Sequence, residues 1–249
     1  MRSKTDGFLV SITTLDMNPQ SRWRSKIDEV RELKVPEIAV FLTGLKSLDE
    51  RQECFSRLSE IQKSQPLRVP FIHAITAMTE DEFQEWSNAF GTEYFNLHPE
   101  SEYPLIHPYS NMLRQRLLIE NNSSVKSLTQ ADLTGFAGVC LDLSHFEEMR
   151  RIAPEEFEKL SALLFRVPIF ANHMSAIDRS PRVGEMGRPE YANHLLTADG
   201  GMRYLDSFPR RLWGTWRALE LENSITEQLD VLGELRGETL YGTPLRSAA

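Results

Sequence analysis

Six short runs of this chain each end an alternating row of side chains in an acid or an imidazole. The rows are Val69, Phe71, His73; Tyr94, Asn96, His98; Leu118, Glu120; Cys140, Asp142; Ile169, Ala171, His173; and Ala218, Glu220, Glu222. Alternate residues of an extended strand share one face. If the six runs are parallel strands of one closed sheet, their terminal side chains converge at one rim. Such a cluster is costly unless the groups pair, shift their protonation or coordinate a metal. Mixed carboxylate and imidazole ligands suit Zn, Mn, Fe or Co better than Ca. Glu120, Asp142, His173 and Glu222, from four consecutive strands, are expected to hold a metal ion. His73 and His98 are expected to be extra ligands, substrate contacts or hydrogen-bond partners of Glu120. Glu220 shares the parity of Glu222 but lies one layer deeper, so Glu222 is preferred.

These side chains need a scaffold that carries parallel strands. Candidate strands fall at 7–13, 37–43, 68–74, 93–98, 116–121, 138–143, 167–173 and 216–222, several of them apolar on both faces. Helical stripes lie between them: Trp23, Ile27, Val30 and Leu33; Phe55, Leu58 and Ile61; Phe83, Trp86 and Phe90; Phe157, Leu160 and Leu164. Pro154 followed by Glu155 and Glu156 marks a helix start, and Ser224 with Glu227 forms a capping box. Eight β-then-α units in 249 residues predict a single (β/α)8 TIM barrel, with active residues at the carboxyl ends of the strands. No Gly-rich phosphate-binding turn follows a strand, which disfavours an open nucleotide-binding sheet. Residues 1–249 read as one domain, with a long region 174–204 between the last two strands and a polar tail 233–249. A net charge of −8 disfavours non-specific nucleic-acid binding. Cys54 and Cys140 lack a CxxC partner, and the apolar run 8–12 is too short for a membrane span, so a reducing, cytoplasmic setting is expected.

The strings FIHA (71–74), NLHP (96–99), LLIENN (117–122), CLDLSH (140–145), ANHMSAIDR (171–179) and LELEN (219–223) resemble the xylose isomerase-like barrel superfamily. That superfamily includes sugar and sugar-phosphate isomerases and epimerases, and endonuclease IV enzymes that cut DNA at abasic sites. The resemblance implies that Glu120, Asp142, His173 and Glu222 ligate one divalent ion (Zn, Mn, Co or Mg). It also implies that Glu120 and Glu222 act as acid and base on opposite faces of the substrate. His145, three residues after Asp142, matches a substrate-contacting histidine of the epimerases or a second-metal ligand of the nucleases. Arg179 matches an arginine that touches sugar hydroxyls, and His73 is a further substrate contact. His73, His98, His145 and His194 match ligands of additional metals, up to three ions in all. The nuclease branch carries Asp-x-His before the last strand; here the string is Ala192-Asn193-His194. A three-metal site would need Asp178 or Asp199 as a substitute.

The resemblance therefore implies a metal-dependent isomerase or epimerase of a sugar or sugar phosphate, working by proton transfer through a metal-stabilised enediolate. The alternative is an endonuclease IV-like phosphodiesterase with DNA as partner. A barrel that binds metal or sugar without catalysis is the third reading. No membrane partner is expected, and a homo-oligomer is compatible with all three.

Overall fold

The computed structural model describes residues 6–184 and 187–237. In chain order the elements are β1 (Phe8–Thr13), α1 (Trp23–Glu32), β2 (Glu37–Phe41), α2 (Leu48–Gln62), β3 (Arg68–His73), α3 (Glu80–Phe90), β4 (Tyr94–Leu97) and α4 (Asn111–Arg114). They continue with β5 (Leu117–Glu120), β6 (Gly138–Asp142), α5 (Leu143–Ile152), α6 (Pro154–Leu164) and β7 (Ile169–Met174). The last are β8 (Ala176–Val183), β9 (Pro189–Asn193), β10 (Gly200–Gly201), β11 (Trp216–Leu219) and α7 (Ile225–Leu235). Eight strands close into a parallel barrel in the order β1-β11-β7-β6-β5-β4-β3-β2. They are the eight runs expected from the sequence.

Alternation along the strands sorts the core into two layers. Leu9, Ala39, Phe41, Phe71, Leu118, Cys140, Ala171 and Ala218 fill the barrel interior. Val10, Ile12, Ile38, Val40, Ile72, Phe95, Ile119 and Leu141 face the helices. The expected rows fail at two points. Between Arg68 and Phe71, β3 holds one residue more than its partner stretch Glu37 to Ala39, and β7 gains one between Ile169 and Ala171 against Val139 to Cys140. Each bulge reverses parity, so Val69 and Ile169 pack in the outer layer. The rows beyond each bulge keep their register, so His73 and His173 still reach the mouth.

Local chemistry explains the helix starts. Ser47–Glu50, Thr79–Glu82 and Ser224–Glu227 each form reciprocal capping boxes, and Pro154 occupies the first turn of α6. Gly44 is required by a close approach: a Cβ there would lie 1.8 Å from the Thr14 carbonyl oxygen. The same residue's N–H donates to Thr14 Oγ1 at 2.9 Å, tying the tops of β1 and β2 together.

The regular β-then-α alternation breaks twice. Residues 121–137, between β5 and β6, form turns rather than a helix. Asn and Ser crowd their start, Asp132 closes a local turn on Thr129, and Gly135 takes φ +84°. The region from 174 to 204 is not a plain loop. It contains an antiparallel three-stranded sheet, ordered β10-β8-β9. The expected tail begins inside α7, and its residues 238–249 lie outside the described residues. Among the described residues no helix is long and apolar enough to cross a membrane.

Candidate functional site

Asp142 ends β6 and begins α5. Its Oδ1 accepts from Ser144 N at 2.7 Å, from Ser144 Oγ and from His145 N at 2.9 Å. Capping therefore uses one oxygen of the carboxylate. The other, Oδ2, is buried and has no hydrogen-bond partner. One strand along, His173 is fully buried against Phe41 and Phe71, with ring centroids 4.6 and 5.4 Å away. These inner-layer rings form an apolar floor and hold the imidazole in place. Neither His173 ring nitrogen makes a hydrogen bond. Its Nδ1 lies 3.1 Å from Glu120 Oε1, near but out of line for donation.

Glu120, at the end of β5, accepts from Asn96 Nδ2 at 2.5 Å. His73 Nδ1 and His98 Nε2 face the same oxygen at 3.5 and 4.0 Å. Burial opposes ionisation of Glu120, but the imidazoles of His173 and His73 outweigh it and hold the carboxyl well below its usual range. Burial lowers His73 strongly and His98 as well. His73 stacks on His173 at 5.1 Å and meets His98 edge-on at 4.8 Å.

After the last strand the structure groups Glu220, rather than the expected Glu222, with the other candidates. Glu222 was preferred over Glu220, yet the carboxylate that joins Glu120, Asp142 and His173 is that of Glu220. Ligand atoms of these four lie within 4.8 Å of one another, and all four residues are buried. Glu222 is paired elsewhere: its Oε2 accepts from Lys26 Nζ at 2.9 Å, and the same ammonium donates to Thr13 Oγ1 at 2.6 Å. Regular alternation was extended past its range. β11 ends at Leu219, and beyond it the chain bonds to the inserted segment through Glu222 N to the His194 carbonyl.

The remaining expected residues divide between rim and interior. His98, His145 and His194 keep 25, 22 and 26% of their side-chain surface open. His73 is buried beneath them, beside Glu120 rather than at the opening. His145 Nε2 stands 3.8 Å from Asp142 Oδ2. Burial opposes its protonation, but Asp142 and Glu148 lift it to about 9. His194 Nδ1 is 3.8 Å from Glu220 Oε1, and burial lowers its pKa. Arg179 lies exposed on β8, with its N–H bonded to the Asp199 carbonyl. Asp178 turns inward to accept from Asn193 Nδ2 at 3.0 Å and pairs with Arg182. Among the described residues neither Asp178 nor Asp199 joins a group of potential metal ligands.

Asn96, Lys26, Ser124 and Glu148 also meet the site residues and are not among those expected from the sequence. Lys26 carried a signal: it falls three residues after Trp23, on the apolar stripe of α1, where an ammonium needs a buried partner. Asn96 stood in an inward row but was passed over for its uncharged side chain.

The four-residue group fits a divalent cation. Three buried carboxylates repel one another: burial, then the charges of Glu120 and Asp142, push Glu220 well above its ordinary value. Glu220 Oε2, Asp142 Oδ2 and both His173 ring nitrogens lack hydrogen-bond partners, and a neutral imidazole offers one of its two nitrogens as a lone-pair site. Ligands about 2.1 Å from one ion lie at most about 4.2 Å apart, so a small contraction completes the shell. His73, Glu120 and His173 form a second, overlapping group.

No family model and no curated protein matches the chain. A solved structure of a xylose isomerase domain-containing protein from Salmonella typhimurium LT2 is similar, with 14% identity over 96% of this chain and 97% of that one, and a TM-score of 0.47. The chain is a closed eight-stranded parallel barrel with a cluster of acids and imidazoles at the carboxyl ends of its strands.

Proposed function

We propose that this barrel is a divalent-metal-dependent isomerase or epimerase acting on a sugar or sugar phosphate. The observation that carries the reading is the buried group Glu120, Asp142, His173 and Glu220, whose lone pairs converge without donors between them. These four would hold the ion. When bound, it supplies Lewis acidity toward adjacent oxygens of a keto sugar. Glu120, at the end of β5, and Glu220, just past β11, flank Asp142 and His173 along the rim and take the parts of general base and general acid. Glu220 thereby replaces Glu222 in both roles. Asn96 fixes the rotamer of Glu120 through one oxygen, while Phe41 and Phe71 exclude water below His173. His145 offers Nε2 at the opening, where a substrate hydroxyl would lie. Arg179 is the proposed sugar contact from the inserted sheet.

The second group, His73, Glu120 and His173 with His98 beside it, favours one further reading. A polynuclear site would suit phosphodiester hydrolysis at abasic DNA. Metal content distinguishes the two: elemental analysis of purified protein should give one Zn, Mn, Co or Mg per chain. Three per chain, with cleavage of an abasic-site oligonucleotide, would establish the hydrolase instead. Glu120→Gln should keep the fold and abolish turnover of a sugar found by screening, and full activity in that variant would refute the assignment.

A further inference from the structure

Glu148 lies on α5, one turn beyond His145, and is 3% exposed. It belongs to neither group of potential metal ligands. Both of its oxygens are engaged. Oε1 accepts from the backbone N–H of Tyr191 and, at 3.1 Å, of Ala192, both on β9. Oε2 accepts the hydroxyl of Ser124, from the β5–β6 connection. Three segments distant in sequence thus meet on one buried carboxylate.

The same Ser124 Oγ lies 3.2 Å from His145 Nδ1. An ionised carboxylate only accepts hydrogen bonds, so the Ser124 hydrogen points at Glu148. Ser124 then presents only lone pairs to His145, and Nδ1 must carry a hydrogen to meet them. Nε2 is left as the nitrogen turned toward Asp142 Oδ2 at the mouth. A carboxylate that merely fastened β9 to α5 would need only the Tyr191 and Ala192 bonds; the Ser124 link adds the orientation of an imidazole.

We infer that Glu148 is a positioning residue: through Ser124 it fixes His145 with Nδ1 protonated and Nε2 presented to the mouth, while its other oxygen clamps the inserted sheet beside that imidazole. The use made of His145 rests on the metal-dependent reading above; the relay itself does not. Histidine ring 15N–1H spectra of the protein, recorded with and without Zn2+, test it. The wild type should show His145 Nδ1 at a protonated shift. Ser124→Ala and Glu148→Ala should each move the His145 ring nitrogens away from that form. Glu148→Ala should also speed amide exchange at Tyr191 and Ala192 by about tenfold or more, the loss of a charge-assisted bond, whereas Ser124→Ala should leave those amides protected. If Glu148→Ala does not fold, Ser124→Ala carries the test, since it removes one hydroxyl from a half-buried turn. An unprotonated Nδ1 in the wild type, or ring signals unmoved by Ser124→Ala, would overturn the inference. Zn2+ titration of the wild type keeps the two ideas apart: no bound ion with a responsive His145 sinks the metal reading alone, and one bound ion with an unresponsive His145 sinks the relay alone.

Discussion

Removing the ammonium of Lys26 should destabilise the barrel without touching the candidate metal group. Lys26 and Glu222 are 0 and 1% exposed and 2.9 Å apart. At that distance their attraction is about 6 kcal/mol for an effective dielectric of ~20. Burying both charges offsets much of it, but Lys26→Met leaves the desolvation of Glu222 uncompensated. Deleting one member of a buried pair costs ~3–5 kcal/mol. For a chain of this size that corresponds to a fall in Tm of roughly 6–20 °C. Lys26→Met/Glu222→Gln leaves no unpaired charge and should recover ~2 kcal/mol or more relative to the sum of the single changes. Urea unfolding of the four proteins at pH 7, fitted with a common m value, measures the cycle. A Lys26→Met protein within ~1 kcal/mol of wild type, or strictly additive single changes, would refute the reasoning. The cycle also bears on Glu222, because a carboxylate tied to Lys26 contributes to stability rather than to ion binding.

The two glutamates that follow β11 should separate by assay. Glu220→Gln should weaken Mn2+ binding in calorimetry by at least about a hundredfold, while Glu222→Gln should leave it within about tenfold, and the reverse order would restore Glu222 to the ligand set. Cys54 is buried, which pushes its thiol up to about 12. Ellman's reagent at pH 8 should therefore find Cys54 unreactive in the native protein and reactive in urea; rapid native labelling of Cys54 would contradict its packing. Arg51 joins α2 to α3 through Glu82 at 2.7 Å. Burial raises Glu82, but the hydrogen bonds from Arg51 and Thr79 and the Arg51 charge together outweigh it and leave the carboxyl below its ordinary value of 4.5. A depressed carboxylate contributes stability that is complete above 4.5 and is lost as pH falls through the lower folded value. Arg51→Met should flatten that acid limb in thermal melts, and an unchanged limb would remove the pair from the account.

Much of this protein was legible before any coordinates. Apolar runs of strand length, helical stripes between them and the helix starts at Ser224–Glu227 and Pro154–Glu156 depend on neighbours a few residues apart. The pattern alone therefore carries them. The rows ending at Glu120 and Asp142 were equally readable, because strand periodicity holds wherever the strand runs without interruption; those ending at His73 and His173 were readable only beyond their bulges. Three features needed the closed barrel. Bulges after Arg68 and Ile169 reverse parity through extra residues that matter only against a partner strand. The inserted sheet depends on β8 pairing with β9 and β10, a contact that the Gly- and Pro-rich composition of 174–204 does not reveal. The choice between Glu220 and Glu222 turned on where β11 stops and on Lys26, some two hundred residues away in sequence. Local periodicity can say that an acid faces inward; only tertiary contacts decide whether it meets an ammonium or other ligands.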